Sequence, residues 1–141
     1  MVAPGLILAA PSSGSGKTVT TLALLRALRN GGVRVASAKA GPDYIDPAFH
    51  TAASGRVCFN LDGWAMRSET LAGLVCQLNE SADLILCEGV MGLFDGASGG
   101  GGSTADLAVQ TGWPVVLIVD AKGQGASAAA LVEGFANHRA E

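Results

Sequence analysis

The stretch at residues 6–21, LILAAPSSGSGKTVTT, constrains the chain more than any other. An apolar run of strand length meets a Gly/Ser-rich turn, which closes on Gly16-Lys17-Thr18 where a helical pattern begins. A strand feeding such a loop and then a helix aims backbone N–H groups and the positive helix end at one point, which suits phosphate oxygens. The expected phosphate cradle is Ser13, Gly14, Ser15, Gly16, Lys17, Thr18 and Val19. Within it the Lys17 ammonium reaches the β- and γ-phosphates and the Thr18 hydroxyl ligates Mg²⁺. Pro11 stands where the usual loop pattern has its first glycine, yet Gly14 and Gly16 keep the backbone permissive. The plain alternative is an ordinary strand-to-helix turn, but Gly-Lys-Thr at such a junction is far more specific than a lone glycine cluster.

Taken in order, the pattern predicts a strand at 6–10 and a helix at 17–30, with Leu22, Leu25 and Leu28 at helical spacing and Gly31-Gly32 as its stop. A second strand is expected at 33–38, then a polar loop at 39–47 and a short helix at 48–53. Residues 56–67 read as irregular. Ser68 is placed to cap a helix at 69–78. A buried strand at 83–87 ends at Glu88, followed by a long loop at 89–102 containing four consecutive glycines. Ser103 or Thr104 opens a helix to Thr111, a strand at 114–119 ends in Asp120, and a last helix covers 126–137. Continuous apolar strands alternating with helices indicate an α/β domain: three layers, a mostly parallel sheet and helices on both faces. Ligands of such sheets sit at the carboxyl ends of the strands. Lys17, Lys39, Asp43, Asp46, Glu88, Asp95 and Asp120 all follow strand ends and are therefore expected to converge.

Glu88 closes an apolar strand where many phosphate-loop proteins place an acid that holds Mg²⁺. Asp43 follows the second strand, so that Thr18, Asp43 and Glu88 form a candidate oxygen shell for the metal. Asp46 precedes Pro47 and fits either a ligand contact or a helix N-cap. Tyr44 and Ile45 fit a wall for a large apolar ligand, or loop packing. Lys39, His50, Arg56 and Arg67 fit either a solvated loop or a set of cations that neutralise a carboxylate-rich substrate beside ATP. The turn leading to Asp95 and the glycines beyond it fit a lid or an inert loop. Nothing in the chain supports a nucleophilic triad, and His50 and His138 each read as surface residues, not ligands.

Composition excludes other classes. Hydrophobic residues make up 49% of the 141 and charged residues 15%, with a mean hydropathy of +0.38, an apolar balance that suggests surface covered by further sequence. No apolar run reaches a membrane span and no charged segment precedes an apolar one at the N-terminus, so the chain reads as cytoplasmic. A net charge of −3 offers no basic footprint for nucleic acid. Cys58, Cys76 and Cys87 form no CxxC and leave an odd thiol, which supports neither zinc nor a disulfide framework. Packed small hydrophobes in a reducing compartment are expected.

Six stretches then carry a resemblance over nearly the whole chain. Residues 11–18 (PSSGSGKT), 39–50 (KAGPDYIDPAFH), 60–64 (NLDGW), 88–96 (EGVMGLFDG), 102–108 (GSTADLA) and 114–120 resemble the cobyrinic or hydrogenobyrinic acid a,c-diamide synthases. The second and fourth of these are the most specific. They separate the chain from cobyric acid synthases and dethiobiotin synthetases, which share the phosphate loop and general fold. The resemblance implies a phosphate-loop NTPase-like, dethiobiotin synthetase-like fold, truncated, forming an N-terminal ATP-binding synthetase domain over 1–141. It implies ATP and Mg²⁺ as cofactors and a corrinoid tetrapyrrole as substrate. Carboxylates a and c would be activated as acyl phosphates and amidated by ammonia from a glutaminase domain that carries a cysteine nucleophile and a histidine. By resemblance Lys17, Asp43 and Glu88 act in phosphoryl transfer, while Tyr44, Ile45, Asp46 and Asp95 are substrate-side; Lys39 joins the substrate-side set as one of the cations read above. A homodimer stays open as an assembly; nucleic acid and membrane are not expected partners.

Two rivals remain. A switch or partition ATPase usually carries a second lysine early in its loop, where this chain has Ser12, and no Asn-Lys-x-Asp motif supports a GTPase. A non-catalytic nucleotide-binding module would bind ATP without turnover.

Overall fold

The computed structural model describes residues 3–80 and 82–139. Its elements in chain order are β1 (Gly5–Ala9), α1 (Lys17–Asn30), β2 (Val35–Ala40), α2 (Asp46–Ser54), β3 (Phe59–Leu61), α3 (Ser68–Asn79), β4 (Leu84–Glu88), α4 (Thr104–Thr111), β5 (Val115–Leu117) and α5 (Ser127–Asn137). The strands form one sheet in the order β3-β2-β4-β1-β5, and every neighbouring pair is parallel. The three-layer α/β expectation holds.

Strand side chains alternate between faces, so parity assigns each residue to a layer. Ile7, Ala36, Ala38, Ile85 and Cys87 pack on one side with Leu71 and Leu78 of α3 and Leu107 of α4. Leu8, Val35 and Leu86 pack on the other with Leu25 of α1 and Ala53 of α2. Lys39 and Glu88 share the parity of Val35 and Leu86, so their side chains fall on the face that α1 and α2 cover.

Several boundaries differ from the sequence reading, each for a physical reason. β2 begins and ends two residues later than expected, because Lys39 reads as a loop residue until partners for its buried ammonium are in view. β3 lies inside the stretch read as irregular; three residues pairing only with β2 are too short to show a period. α2 starts at Asp46, with Pro47 in its first turn and no side-chain cap at Ile45. Ser68 is the first residue of α3 and not its cap, since the preceding residue is Arg67 and no side chain caps the helix. Ser103 does cap α4, in a reciprocal capping box with Asp106. β5 is shorter than expected and sits at the sheet edge. Cys58 and Cys87 are buried as expected, whereas Cys76 is exposed on α3. No helix of the described residues is long and apolar enough to cross a membrane.

Candidate active site

One rung of the sheet runs unbroken from edge to edge: Asn60 pairs with Lys39, Lys39 with Glu88, Glu88 with Leu8 and Leu8 with Val116. This rung lies at the carboxyl ends of the strands, next to the loop that follows β1. The register thereby places a buried lysine beside a buried glutamate under the N-terminus of α1.

The loop itself closes as the sequence predicts. Gly14 and Gly16 take left-handed backbone angles, φ 81° and 88°, and a Cβ at either would meet no atom within 4 Å. Glycine is required there by conformation and not by space. Gly16 precedes α1 without any side-chain cap, so the first N–H groups of the helix stay available to an anion. The Lys17 ammonium, largely buried, donates to the carbonyls of Ser12 (3.0 Å) and Met91 (2.7 Å). Met91 is the one non-glycine residue with positive φ, 49°, among those described. Burial and the nearby Lys39 charge lower the Lys17 pKa from its ordinary 10.5, against opposing pulls from Glu88 and Asp95.

Beneath the loop the charges interlock. Glu88 is fully buried. Its Oε1 accepts from Thr18 Oγ1 at 2.5 Å and from Lys39 Nζ at 2.9 Å, and its Oε2 faces His50 Nε2 at 2.6 Å. Lys39 Nζ also donates to Asp46 Oδ2 at 2.7 Å and to the Gly89 carbonyl at 3.3 Å. Thr18 Oγ1 lies 3.5 Å from the same Asp46 oxygen. Thr18 and Lys39 thus address the same two carboxylate oxygens. Burial pushes the Glu88 carboxyl up, but the donors from His50, Thr18 and Lys39 more than offset this and hold it below its ordinary range. Burial likewise pulls Lys39 down, and Asp46 and Glu88 reverse that to leave it raised.

A cavity of about 460 Å³ opens over this cluster, lined by Ser13, Gly14, Gly16, Lys17, Thr18, Val19, Lys39, Asp43, Asp46, Glu88 and the backbone after it. Ser15 does not line it and bonds back to the Ser12 carbonyl. Asp43 Oδ1 accepts the backbone N–H groups of Ile45 and Asp46, so Asp43, not Asp46, holds the turn into α2. Its other oxygen lies 3.9 Å from Lys39 Nζ. Lys39 spends its charge on these acids. Tyr44 is 94% exposed and Ile45 is exposed beside it, so neither is buried by loop packing; both stand between Asp43 and Asp46 in the chain, and neither lines the cavity. Asp95 accepts the Gly92 N–H at 2.8 Å, inside its own turn. Asp120 accepts the Lys122 N–H and, like Arg56 and Arg67, lines no part of the cavity. The glycine run folds into a turn, with Gly100 N–H donating to Ala97 O and Gly102 against Trp64.

His50 corrects the sequence reading. Expected at the surface, it is 0% exposed. It lies one helical turn after Asp46, on the face of α2 that also buries Ala53 and Ser54; this i, i+4 relation was the available signal. Trp64, the last residue of the 60–64 stretch, is 70% exposed beside the glycine turn.

Among the described residues no three His, Cys, Asp or Glu side chains meet in a metal-holding cluster. Thr18 Oγ1, Glu88 Oε1 and Asp46 Oδ2 are hard oxygen donors at one point, with Asp43 alongside. That set fits Mg²⁺, which takes one or two carboxylates and completes its shell with phosphate oxygens and water.

Residues 6–141 match the model of the CobQ/CobB/MinD/ParA nucleotide binding domain. The chain belongs to this family. Its nucleotide-binding character accords with the loop, the helix end and the cavity. Among curated relatives, the hydrogenobyrinate a,c-diamide synthase of Rhizobium meliloti is 57% identical over 135 residues, covering 96% of this chain and 32% of the relative. The proteins of the same name from Rhodobacter capsulatus and Brucella anthropi are 58% and 59% identical, over 95% and 96% of the chain and 32% and 31% of their own lengths. The chain thus spans about a third of the length of these relatives.

Proposed function

We propose that this chain is the ATP-binding synthetase domain of a longer, glutamine-dependent enzyme that amidates carboxylates a and c of hydrogenobyrinic or cobyrinic acid. The reading rests above all on the convergence of Lys17, Thr18, Lys39, Asp46 and Glu88 at the phosphate loop. Identity of 57–59% to proteins named for the diamide synthase reaction supports the substrate class.

The chemistry asked of the domain is transfer of the ATP γ-phosphoryl group to a substrate carboxylate, after which ammonia attacks the acyl carbon and phosphate leaves. Phosphoryl transfer needs positioning and neutralisation of charge more than a protein nucleophile. The loop N–H groups and Lys17 grip the phosphates; to do so Lys17 exchanges the carbonyls of Ser12 and Met91 for phosphate oxygens. Thr18, Glu88, Asp46 and Asp43 would hold Mg²⁺, which when bound neutralises and orients the β- and γ-phosphates. Lys39 shares the oxygens of Glu88 and Asp46, so its ammonium would stand beside the phosphates and neutralise charge on the transferring phosphoryl or the incoming carboxylate. Tyr44 and Ile45, exposed between Asp43 and Asp46, would offer apolar surface to a macrocycle, with Asp95 on the substrate side.

The test supplies MgATP, an ammonium salt and hydrogenobyrinic or cobyrinic acid to a protein carrying this domain and follows products by mass spectrometry. Mono- and then diamide products are expected. No reaction with either macrocycle, alongside amidation of another acid, would remove the substrate assignment; ATP binding without any turnover would favour the non-catalytic module.

A further inference from the structure

The two oxygens of Glu88 keep different company. Oε1 faces the cavity side, where Thr18 and Lys39 donate to it. Among the described residues Oε2 faces only His50 Nε2, at 2.6 Å, in a contact sealed from solvent on both sides. A carboxylate has no proton to give, so Nε2 carries the hydrogen and donates. The imidazole is fixed from behind as well: Nδ1 lies 3.5 Å from Cys58 Sγ, just before β3, while α2 supplies the backbone. Burial pushes the Cys58 thiol up to about 11, so at neutral pH it keeps its proton.

We propose that His50 is a positioning residue for the metal-phosphate step, occupying Glu88 Oε2 so that the carboxylate presents Oε1 alone, at a fixed angle, beside Thr18 Oγ1. The inference rests on the nucleotide-and-metal reading above. Mg²⁺ demands near-octahedral geometry at short distances, which a freely rotating or two-oxygen carboxylate satisfies poorly. Partners that tie the second oxygen of a ligating carboxylate govern metal affinity without touching the metal. His50 meets that description: it is out of the cavity lining, inaccessible to substrate, and hydrogen-bonded to the one fully buried acid of the cluster. A histidine that only filled the core would serve equally well with its donor removed.

That difference sets the test. Mn²⁺, as a paramagnetic stand-in for Mg²⁺, is titrated by electron paramagnetic resonance into the intact chain with a non-hydrolysable ATP analogue bound, and nucleotide affinity is measured separately in chelator. His50→Leu fills the space without a donor, and His50→Gln places an amide N–H where Nε2 was. His50→Leu should weaken Mn²⁺ binding about 10- to 100-fold and leave metal-free nucleotide binding unchanged, while His50→Gln recovers most of the loss. Unchanged Mn²⁺ affinity in His50→Leu, equal loss of nucleotide and metal, or no recovery in His50→Gln would overturn the proposal. Should His50→Leu fail to fold, His50→Gln carries the test against the wild type: Mn²⁺ binding kept near wild type supports the proposal and its loss overturns it. A wild-type chain that binds neither nucleotide nor Mn²⁺ would instead overturn the nucleotide reading itself, and this inference with it.

Discussion

The two sides of β1 are built on opposite terms. Toward β4 and β2, the rung at Lys39 and Glu88 lies under α1 and α2, and its buried charges all have partners. Toward β5, the sheet ends in a three-residue edge strand with no buried side chain, and α5 beyond it buries none either. Between α4, β5 and α5 lies an apolar hollow of about 640 Å³, with Phe94 and Phe135 stacked at 5.3 Å and Trp113 nearby. Beneath its cavity the side that handles charge is packed closed, and the side that is apolar is open. In a domain whose core is small, buried ions persist only where every partner is supplied, so the closed side marks the region under functional constraint.

The largest contrast should come from Glu88→Ala. It leaves the Lys39 ammonium with fewer acidic partners and His50 with none for Nε2, and breaking such a buried pair costs about 3–5 kcal/mol of stability, read by denaturant unfolding. Lys17→Ala comes next. It should leave the circular dichroism spectrum intact and lower nucleotide-dependent turnover about 100-fold or more; unchanged ATP use would break the phosphate-loop argument.

A smaller effect follows from the lowered pKa of Lys17. The free site loses its charge at a lower pH than an ordinary lysine of 10.5, whereas a bound phosphate favours the ammonium. Nucleotide binding should therefore take up protons on the alkaline side and weaken as pH rises there. Calorimetry in buffers of different ionisation enthalpy checks the sign. On the open side, Val132→Ser in the hollow should shift stability by no more than about 0.5 kcal/mol, as at other exposed positions. A loss comparable with that of Glu88→Ala would erase the contrast between the two sides.

Much of the closed side was legible in the sequence. The bounds of α1 were read correctly because Gly16, with positive φ, and the Gly31-Gly32 pair fix both ends. Rules for strand ends brought Lys17, Lys39, Asp43, Asp46 and Glu88 to one rim, but Asp95 and Asp120, grouped with them, line no part of the cavity. Pairing within the cluster was not legible, because it depends on register: Lys39 is opposite Glu88 only once β2 and β4 are aligned. For the same reason Lys39 read as either a solvated loop cation or a partner for substrate, and Asp46 as either a ligand contact or a helix cap. His50 looked like a surface residue because its partner lies 38 positions away, and its place one turn after Asp46 is the one local hint of burial. β3 escaped because three residues hold too little pattern.

The most direct measurement is a crystal structure of the chain with a non-hydrolysable ATP analogue and Mg²⁺. The account predicts the β- and γ-phosphates in the cavity over Gly14 to Thr18, Lys17 Nζ moved from the Ser12 and Met91 carbonyls onto phosphate, and the metal on Thr18 and Glu88 Oε1. A nucleotide bound elsewhere, or a metal with Glu88 still wholly paired to Lys39, would contradict it.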